Sequence, residues 1–507
     1  MNKLALTAGI GAAWAGISIG GYFVVEHQVY DTIETTFETI HEIAPAISSA
    51  SFETMDIDLL NDKVVIKNSK FQFDAGEFAK RQPMFGLDME VSGVGEQTQE
   101  TIIITGVWDL VFGAKEISAL SIENAQFTGE TVSITKTKRD GKPIDEKQTI
   151  QYSGGFASGE VLNFDISSMG EAVTMAPFGV QIGQYVAHDI KMNVDVKIEK
   201  PKYEDGDLRA FTDWTQNIET HADISISEMS GQGITSAAIE AIHYNDIAMA
   251  MSFPLLDEKS FKSTIGHIGI EDLKFEGNVP TQMKFKVSEF VVDPNDPEAM
   301  GLMAAFGIDE LNFNFELGYN TNTADNSLKI SPILFGLKNA GTIDLNIGLI
   351  GVPDYSVFER LQELEAMPQE TLEQAFAIQQ KTNELMKNAF QELALETVSV
   401  GYSDAGVLKK FLGMQALQMK AEPEQLANMF SRQGAMILEA THGVDKAEEA
   451  QKILARFLTD PDTLRVKLQA KSPIKVFDLV EQIDAQGPIA LQAFDLIIHQ
   501  GEAAQAH

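Results

Sequence analysis

The sequence predicts an α+β protein with an N-terminal transmembrane helix, a large antiparallel β-rich body, and a C-terminal helical and α+β region. Leu4–Val25 contains no charged side chain, the following part of the chain often alternates between polar and apolar residues, and helical spacing of apolar residues appears after Pro353. We therefore divide the chain into a transmembrane anchor (1–25), a helical stalk (26–50), a β-rich body (51–352) and a helical and α+β region (353–507).

The 22 residues of Leu4–Val25 would form a helix of about 33 Å, which is enough to cross a hydrocarbon core of about 30 Å. Lys3 lies on the N-terminal side of this segment, and Glu26, Asp31 and Glu34 follow it. The positive-inside tendency places the N-terminus in the cytoplasm and the rest of the chain across the membrane. The sequence thus predicts a single-pass protein of the bacterial inner membrane with most of the chain in the periplasm.

A cleaved signal peptide is the alternative. Ala13-Trp14-Ala15 is similar to a signal-peptidase site. The apolar run continues for ten residues beyond Ala15, which favours an uncleaved anchor. Cleavage would instead release a soluble secreted protein.

Small residues recur every four positions in the anchor and share one helix face. Such a face lets two membrane helices approach closely, so a homo-oligomer is one hypothesis. The favoured alternative is that small residues are simply common in membrane helices. The residues of this face are Ala8, Ala12, Gly16 and Gly20.

Composition excludes several classes of function. The net charge is −36, from 38 Lys and Arg against 74 Asp and Glu. Nucleic-acid binding depends on neutralising phosphates with basic groups, so no nucleic-acid partner is expected. The chain contains no cysteine, which excludes disulfides, thiolate metal sites and a cysteine nucleophile.

The stalk and the body differ in hydrophobic period. Ile33, Phe37 and Ile40 are spaced as on one helix face, and Pro45 ends that pattern. Alternating strands follow, of which the clearest local element is a hairpin. Its strands are Thr131–Lys136 and Thr149–Tyr152, with Asp140-Gly141 between them. Strands of this kind predict an antiparallel sheet with one face buried.

Short segments of the body repeat. His188–Val194 is similar to Asn245–Met251, and Ile122–Gly129 is similar to Ile270–Gly277. Ile308–Phe313 is a third, partial copy of the second pattern. Each carries an acidic or amide residue before a short strand, which indicates duplicated strand units or chance similarity between amphipathic strands.

After Thr342–Leu349, the last predicted strand of the body, helices predominate. The last predicted segment is either a helix or a strand. The predicted elements are helices at Glu370–Leu395 and Asp445–Leu458, a strand at Leu464–Ala470, a short helix at Ile474–Ile483, and a strand or helix at Gln486–Ile498.

The N-terminus resembles the YdgA-like family of bacterial envelope proteins, through Leu4–Gly9, Ala12–Gly16 and the acidic helical segment that follows. The strand units that end in an aromatic residue and a glycine also look like the broader AsmA-like class, as in Phe127-Thr128-Gly129 and Phe275-Glu276-Gly277. The resemblance implies a single-anchor protein that faces the periplasm with a long sheet. The AsmA-like class is associated with lipid handling, and the resemblance supplies no catalytic residues.

No catalytic or cofactor motif is recognisable, so the chain is expected not to be an enzyme and to use no cofactor. The histidines show no metal-ligand spacing, and His188 and His243 are predicted at strand openings, as solvated or hydrogen-bonded side chains rather than metal ligands. The glycine-rich Ser153-Gly154-Gly155 and Gly231-Gln232-Gly233 are predicted turns. Two acidic loops could bind Ca²⁺, although solvated surface loops are the favoured interpretation; they are Asp293–Glu298 and Glu204–Asp207.

Two apolar clusters suggest a binding surface, with core packing as the ordinary alternative. One is Met300–Phe306, and the other is formed by Ile247, Met249 and Met251 on one strand face. The leading hypothesis is a non-enzymatic envelope protein that binds a lipid-like or apolar ligand along an extended sheet. The alternative is a scaffolding protein that docks other envelope proteins through the stalk and Glu370–Leu395. An envelope hydrolase that uses carboxylates alone is a third hypothesis.

Overall fold

A computed structural model describes most of the chain. The chain divides into two compact units, residues 1–278 and 279–507, which we describe separately. The described residues are 29–38 in part, 47–74, 76, 89–107, 116–139, 142–165, 182–199, 217–235, 237–253, 259–276, 279–292, 300–308 in part, 310–353, single positions in 357–364, and 372–501.

Unit 1 is an antiparallel meander. β1 and β2 both pair with β3, β1 with its C-terminal half and β2 with its N-terminal half, and each later strand pairs with the next. The strands are β1 (Ile47–Ser51), β2 (Thr54–Asp58), β3 (Lys63–Asp74), β4 (Met89–Thr105), β5 (Glu116–Arg139), β6 (Lys142–Asp165), β7 (Ile182–Glu199), β8 (Asn217–Ile234), β9 (Ala238–Phe253) and β10 (Lys259–Glu276).

The predicted hairpin is confirmed in this unit. Arg139 pairs with Lys142, so β5 and β6 are consecutive antiparallel strands, and the predicted turn residues Asp140-Gly141 between them lie outside the described residues. Both strands are 24 residues long, much longer than the alternating segments predicted, because alternation weakens where glycine, alanine and polar residues enter the strands. The antiparallel β-rich body of the prediction is therefore present.

The segment predicted as a stalk packs on the sheet. Its described positions between residues 29 and 38 are helical. Val29, Tyr30, Ile33 and Phe37 contact the buried cluster that includes Val64 and other residues of β2, β3 and β4. Ile33 and Phe37, which suggested a helix face, are thus half-buried against strands, and Ile40 lies outside the described residues. Ile47–Ser51 is strand β1, so the predicted helical segment up to residue 50 is wrong at its C-terminal end.

Unit 2 is a second antiparallel meander with helices inserted between paired strands. Its strands are β11 (Val279–Val292), β12 (Leu311–Asn322), β13 (Ser327–Leu337), β14 (Gly341–Ile350), β15 (Ala394–Asp404), β16 (Thr463–Lys475) and β17 (Phe494–Gln500). Its helices are α1 (Leu372–Phe390), α2 (Val407–Met419), α3 (Pro423–His442), α4 (Val444–Thr459) and α5 (Val476–Gln486), and a 3-10 helix spans Gly487–Ala493.

The change of character at Pro353 therefore marks an insertion rather than the end of the strands. β14 pairs with β15 although α1 lies between them in sequence. The helices α2, α3 and α4 stand between β15 and β16, which also pair. They pack through a small core of Leu412, Ala416 and Leu426, and the Phe457 ring on α4 meets Tyr402 on β15 edge-on at 6.2 Å.

Several C-terminal predictions are confirmed and others need correction. α4 matches the helix predicted at Asp445–Leu458, and β16 contains the predicted strand. The predicted helix Glu370–Leu395 ends at Phe390, because residues from Ala394 onward join β15. Ile474 and Lys475 extend β16 rather than beginning α5. Residues 486–498 contain both a 3-10 helix and a strand, and the prediction did not include β15, α2 or α3.

Among the helices that the structure describes, none combines the length and apolarity that crossing a bilayer requires. Leu4–Val25 and its small-residue face at Ala8, Ala12, Gly16 and Gly20 lie outside the described residues. The anchor and its cleaved alternative both stay predictions.

Candidate functional site

A row of left-handed residues crosses the sheet of unit 1. Asn68, Asn124, Asp189 and Asp246 have φ angles of 51°, 49°, 54° and 50° and lie on β3, β5, β7 and β9. The strand registers continue unchanged on both sides of them, so these residues form one line across the sheet. Asn and Asp tolerate this conformation better than other non-glycine residues, because their short polar side chains can hydrogen-bond locally.

This row explains the similarity between the segments His188–Val194 and Asn245–Met251. Asp189 and Asp246 occupy equivalent positions in the two similar segments and both belong to the left-handed row. In the second pair of similar segments, Ile122–Gly129 and Ile270–Gly277, Asn124 and Asp272 are also equivalent, with φ angles of 49° and 54°. The acidic or amide residue that marks each pattern is therefore a backbone requirement. Duplication of strand units stays a prediction.

The left-handed row also changes which side chains share a face. On β3, Val64 and Ile66 are buried at the usual spacing of two, and the next buried residue is Ser69, three positions on. Ordinary alternation would have turned this residue to the other side of the sheet. The left-handed Asn68 between them lets one face remain continuous along the strand.

Two rows of cross-strand neighbours run across that face, which we call the apolar face. In the isoleucine row every residue is apolar or glycine, and in the methionine row the polar exceptions are Gln97 and Ser263. The isoleucine row is Ile66, Ile102, Ile122, Gly159, Ala187, Met229, Tyr244 and Ile268. The methionine row is Phe71, Gln97, Phe127, Gly154, Met192, Ile224, Met249 and Ser263.

Glycines on this face make room for aromatic rings that lie along the sheet. A Cβ atom at Gly154 would come within 2.8 Å of Phe127 Cζ. The Tyr152 ring occupies the corresponding space at Gly129, and the Tyr185 ring does so at Gly231. Ser153-Gly154-Gly155 and Gly231-Gln232-Gly233 lie inside β6 and β8, so their prediction as turns is wrong. The sequence shows the glycines but not the rings on neighbouring strands that require them.

The apolar face is covered at one end. The Phe37 ring packs on Phe52 at 5.1 Å and on Phe71, the first residue of the methionine row, at 5.5 Å. Farther along that row, Met192, Ile224 and Met249 are only half-buried. Tyr185, on the same face, is also partly buried. This burial raises the pKa of Tyr185 to about 12, with a smaller contribution from Tyr244.

The opposite face, which we call the polar face, carries polar residues along the C-terminal half of β7. On β7 the two faces separate cleanly, because Lys191, Asn193, Asp195 and Lys197 are exposed while the residues between them are half-buried. Polar side chains thus lie on one face and apolar side chains on the other, so one side of the sheet favours water and the other favours an apolar contact.

Histidines gather on the polar face without forming a metal site. His267 Nδ1 lies 2.8 Å from Asn245 Oδ1, Asn245 Nδ2 donates to Glu228 Oε1 at 3.2 Å, and His188 Nδ1 lies 3.9 Å from Glu228 Oε2. The His243 ring stacks near His267 at 5.1 Å. Among the described residues, no three His, Asp or Glu side chains are grouped so that they could hold a metal ion.

The structure corrects the position of two of these histidines. His188 and His243 lie inside β7 and β9, not at strand openings. The sequence placed them at the start because each comes just before the acidic or amide residue that is predicted to precede a short strand. Asp189 and Asp246, which follow in these segments, are left-handed positions inside long strands.

The other predicted sites divide by whether the structure describes them. Ile247, Met249 and Met251 follow one another along the apolar side of β9, as predicted. In the Met300–Phe306 cluster, Met303 is buried and Met300 is exposed. The two acidic loops, Asp293–Glu298 and Glu204–Asp207, lie outside the described residues, as do Leu302, Ala305 and Phe306 of that cluster.

Comparison with known proteins gives one partial match. A family model described as "Uncharacterized protein" matches residues 334–497, which is less than half of the 507 residues. The matched segment begins within β13 and ends within β17, so it covers the inserted helices and the strands that flank them. A comparison with curated proteins gives no match.

Proposed function

We propose that the chain is a non-enzymatic envelope protein that holds a lipid-like ligand against the apolar face of unit 1. The observation that carries the proposal is the isoleucine row, which crosses eight strands without one charged or amide side chain. Eight strands about 4.8 Å apart span about 34 Å, which suits an extended hydrocarbon chain.

Energetics support an apolar occupant. A sheet with one apolar face is stable when that face is covered by another layer or by a ligand. Half-buried methionines such as Met192 and Met249 adapt to irregular apolar surfaces. The acidity of the chain, −36 overall, disfavours contact with anionic headgroups over its surface and so favours binding through the hydrocarbon part of a lipid.

The proposal includes the setting that the N-terminal resemblance implies. An uncleaved Leu4–Val25 would hold the chain in the bacterial inner membrane, with the sheet in the periplasm. The AsmA-like resemblance supports lipid handling as the class of function, and it supplies no named ligand.

The test compares two neighbouring residues of β9 that face opposite sides. Met249→Asp places a carboxylate on the apolar face, and Ala248→Asp places one at an exposed position on the polar face. We expect the wild type and Ala248→Asp to retain long-chain lipid through purification, and Met249→Asp to lose most of it. Organic extraction followed by mass spectrometry measures moles of lipid per mole of protein.

A second, milder pair of substitutions separates loss of lipid binding from misfolding. Met192→Gln changes polarity with little change in volume, and Asn193→Gln is its exposed neighbour on β7. Circular dichroism and the thermal midpoint establish that each variant is folded. Wild-type protein without bound lipid, or equal lipid content in Met192→Gln and Asn193→Gln, would refute the proposal.

A scaffolding role is the second candidate, and α1 favours it. Most described side chains of this helix are exposed, including Phe376 and Met386. An amphipathic helix with exposed large apolar residues is suited to docking a partner protein. Cross-linking from Phe376 that captures only lipid or nothing would count against this candidate.

A further inference from the structure

The helix α5 exposes an apolar ridge in unit 2. Phe477, Val480 and Ile483 are 49%, 51% and 46% exposed. Their spacing of three residues places them close together on one side of the helix. Val476 and Leu479 are half-buried, so the helix is held to its unit by its other side. The ridge is therefore a fixed surface feature.

Carboxylates accompany this ridge. Asp478 and Glu481 are exposed on α5, and the helix contains no basic residue. The nearest lysines in sequence are already engaged: Lys475 Nζ lies 2.8 Å from Glu392 Oε1, and Lys471 Nζ donates to the Gln492 carbonyl at 3.0 Å. A partner would meet large apolar side chains interleaved with negative charge.

We infer that the exposed side of α5 docks a partner protein whose apolar groove is bordered by lysines or arginines. Such a groove would cover the ridge while its basic rim meets Asp478 and Glu481, which is the helix-in-groove mode of recognition combined with charge complementarity. This docking face lies outside the apolar face of unit 1, so it is independent of the proposed lipid binding.

The negative charges of α5 and of the whole chain disfavour two other occupants of this surface, a membrane and a second copy of the chain. Helices that lie in a membrane interface usually carry Lys and Arg on their polar side, whereas α5 carries acids that anionic headgroups repel. A second copy of this chain would bring the same carboxylates together between two molecules of net charge −36 each.

The experiment uses site-specific photocross-linking in the full chain, in the cells that naturally produce it. A photoreactive amino acid replaces Val480 in one strain and Leu417 in the control strain. Leu417 lies on α2 and is 83% exposed, so it is a more accessible apolar position outside the ridge. Mass spectrometry of the digested adducts identifies the cross-linked peptide.

We expect Val480 to cross-link to a peptide of another protein that is flanked by Lys or Arg, and Leu417 not to do so. Adding Glu481→Lys should reduce the yield at Val480 at least fivefold, and Glu481→Gln should reduce it less. Glu481 is exposed, so both substitutions should leave the thermal midpoint unchanged.

Four results would overturn the inference. They are no adduct at Val480, an adduct to lipid or to a second copy of this chain, an adduct to a peptide without basic neighbours, and an adduct yield that Glu481→Lys leaves unchanged in a folded protein.

Discussion

Asp344 on β14 and Arg465 on β16 form an ion pair across the strand that separates them. Arg465 Nη2 lies 2.9 Å from Asp344 Oδ1 and 2.8 Å from Oδ2. Gly401 on β15 is the cross-strand neighbour of both residues. A Cβ atom at Gly401 would overlap the Asp344 carboxylate, so the glycine is what lets the two side chains meet.

Gly401→Ala should therefore destabilise unit 2. The added methyl group displaces Asp344 and leaves Arg465, whose side chain is 32% exposed, without its partner. Breaking a buried pair costs about 3–5 kcal/mol, and partial exposure reduces this, so we expect a loss of about 2 kcal/mol. Urea unfolding followed by circular dichroism measures the change.

Gly413→Ala is the matched control. Gly413 lies inside α2, and an added Cβ there meets nothing within 4 Å. Replacing glycine by alanine inside a helix stabilises by about 0.5–1 kcal/mol. Equal effects of the two substitutions would show that Gly401 has no special role.

The left-handed row makes a second prediction. Asn124→Ala should cost about 1 kcal/mol, because a left-handed conformation is unfavourable for alanine. Asn124→Gly should cost less, since glycine accepts this conformation and loses only the hydrogen bond from Asn124 Nδ2 to Glu100 Oε2 at 2.5 Å. Free energies of unfolding of both variants, relative to the wild type, test the order.

Asn193→Ala controls for loss of an exposed asparagine from a strand. Asn193 lies on β7 at an exposed position, and surface substitutions of this kind usually stay within about 0.5 kcal/mol. If Asn124→Gly proved as damaging as Asn124→Ala, the hydrogen bond rather than the backbone conformation would be the important feature.

The sequence predicted the class of fold because that depends on local patterns. Alternation over residues such as Met55–Leu59 and the Asp140-Gly141 turn is visible without tertiary information. The glycines of the apolar face could not be interpreted in this way. Gly231 looked like part of a turn, and its role depends on Tyr185 on the preceding strand.

The inserted helices illustrate a second limit of prediction from the sequence. β15 begins shortly after the end of α1 at Phe390, and its partners β14 and β16 lie on the far sides of two helical insertions in the sequence. Ala394 and Leu395 carry no sequence signal that separates them from the preceding helix. The register with β14 decides their conformation, and register is a long-range property.

The buried pair Ser69 and Gln99 supports a third prediction. Ser69 Oγ donates to Gln99 Oε1 at 2.5 Å, and both residues are buried. Ser69→Ala removes the donor and leaves the amide oxygen buried without it, which should cost about 1–3 kcal/mol. Replacing both residues, in Ser69→Ala with Gln99→Leu, should recover part of this loss because no acceptor is then left unsatisfied.

A double-mutant cycle in urea measures this coupling. The single Gln99→Leu variant completes the cycle and reports any packing strain from leucine. A double variant whose loss equals the sum of the two single losses would show that the two side chains do not interact.

His221 provides a pH-dependent prediction on the polar face. Its Nδ1 lies 2.7 Å from Asp195 Oδ1, and its Nε2 lies 3.2 Å from Asp223 Oδ1. The hydrogen bond that the His221 ring donates to Asp195 is the main cause that raises the pKa of His221 above its usual range, and Asp223 adds to it. NMR titration of the imidazole should therefore give a midpoint above about 6.5.

The sign of the linked stability follows from this direction. A raised pKa in the folded protein means that the protonated ring is stabilised, so the contribution is complete below about pH 6.5 and is lost as the pH rises through the folded-state pKa. The group is exposed and screened by solvent, so the effect should stay well below 1 kcal/mol. Asp195→Asn should lower the midpoint more than Asp223→Asn does, because Asp195 makes the shorter contact. A larger shift from Asp223→Asn would reverse the assignment of the two carboxylates.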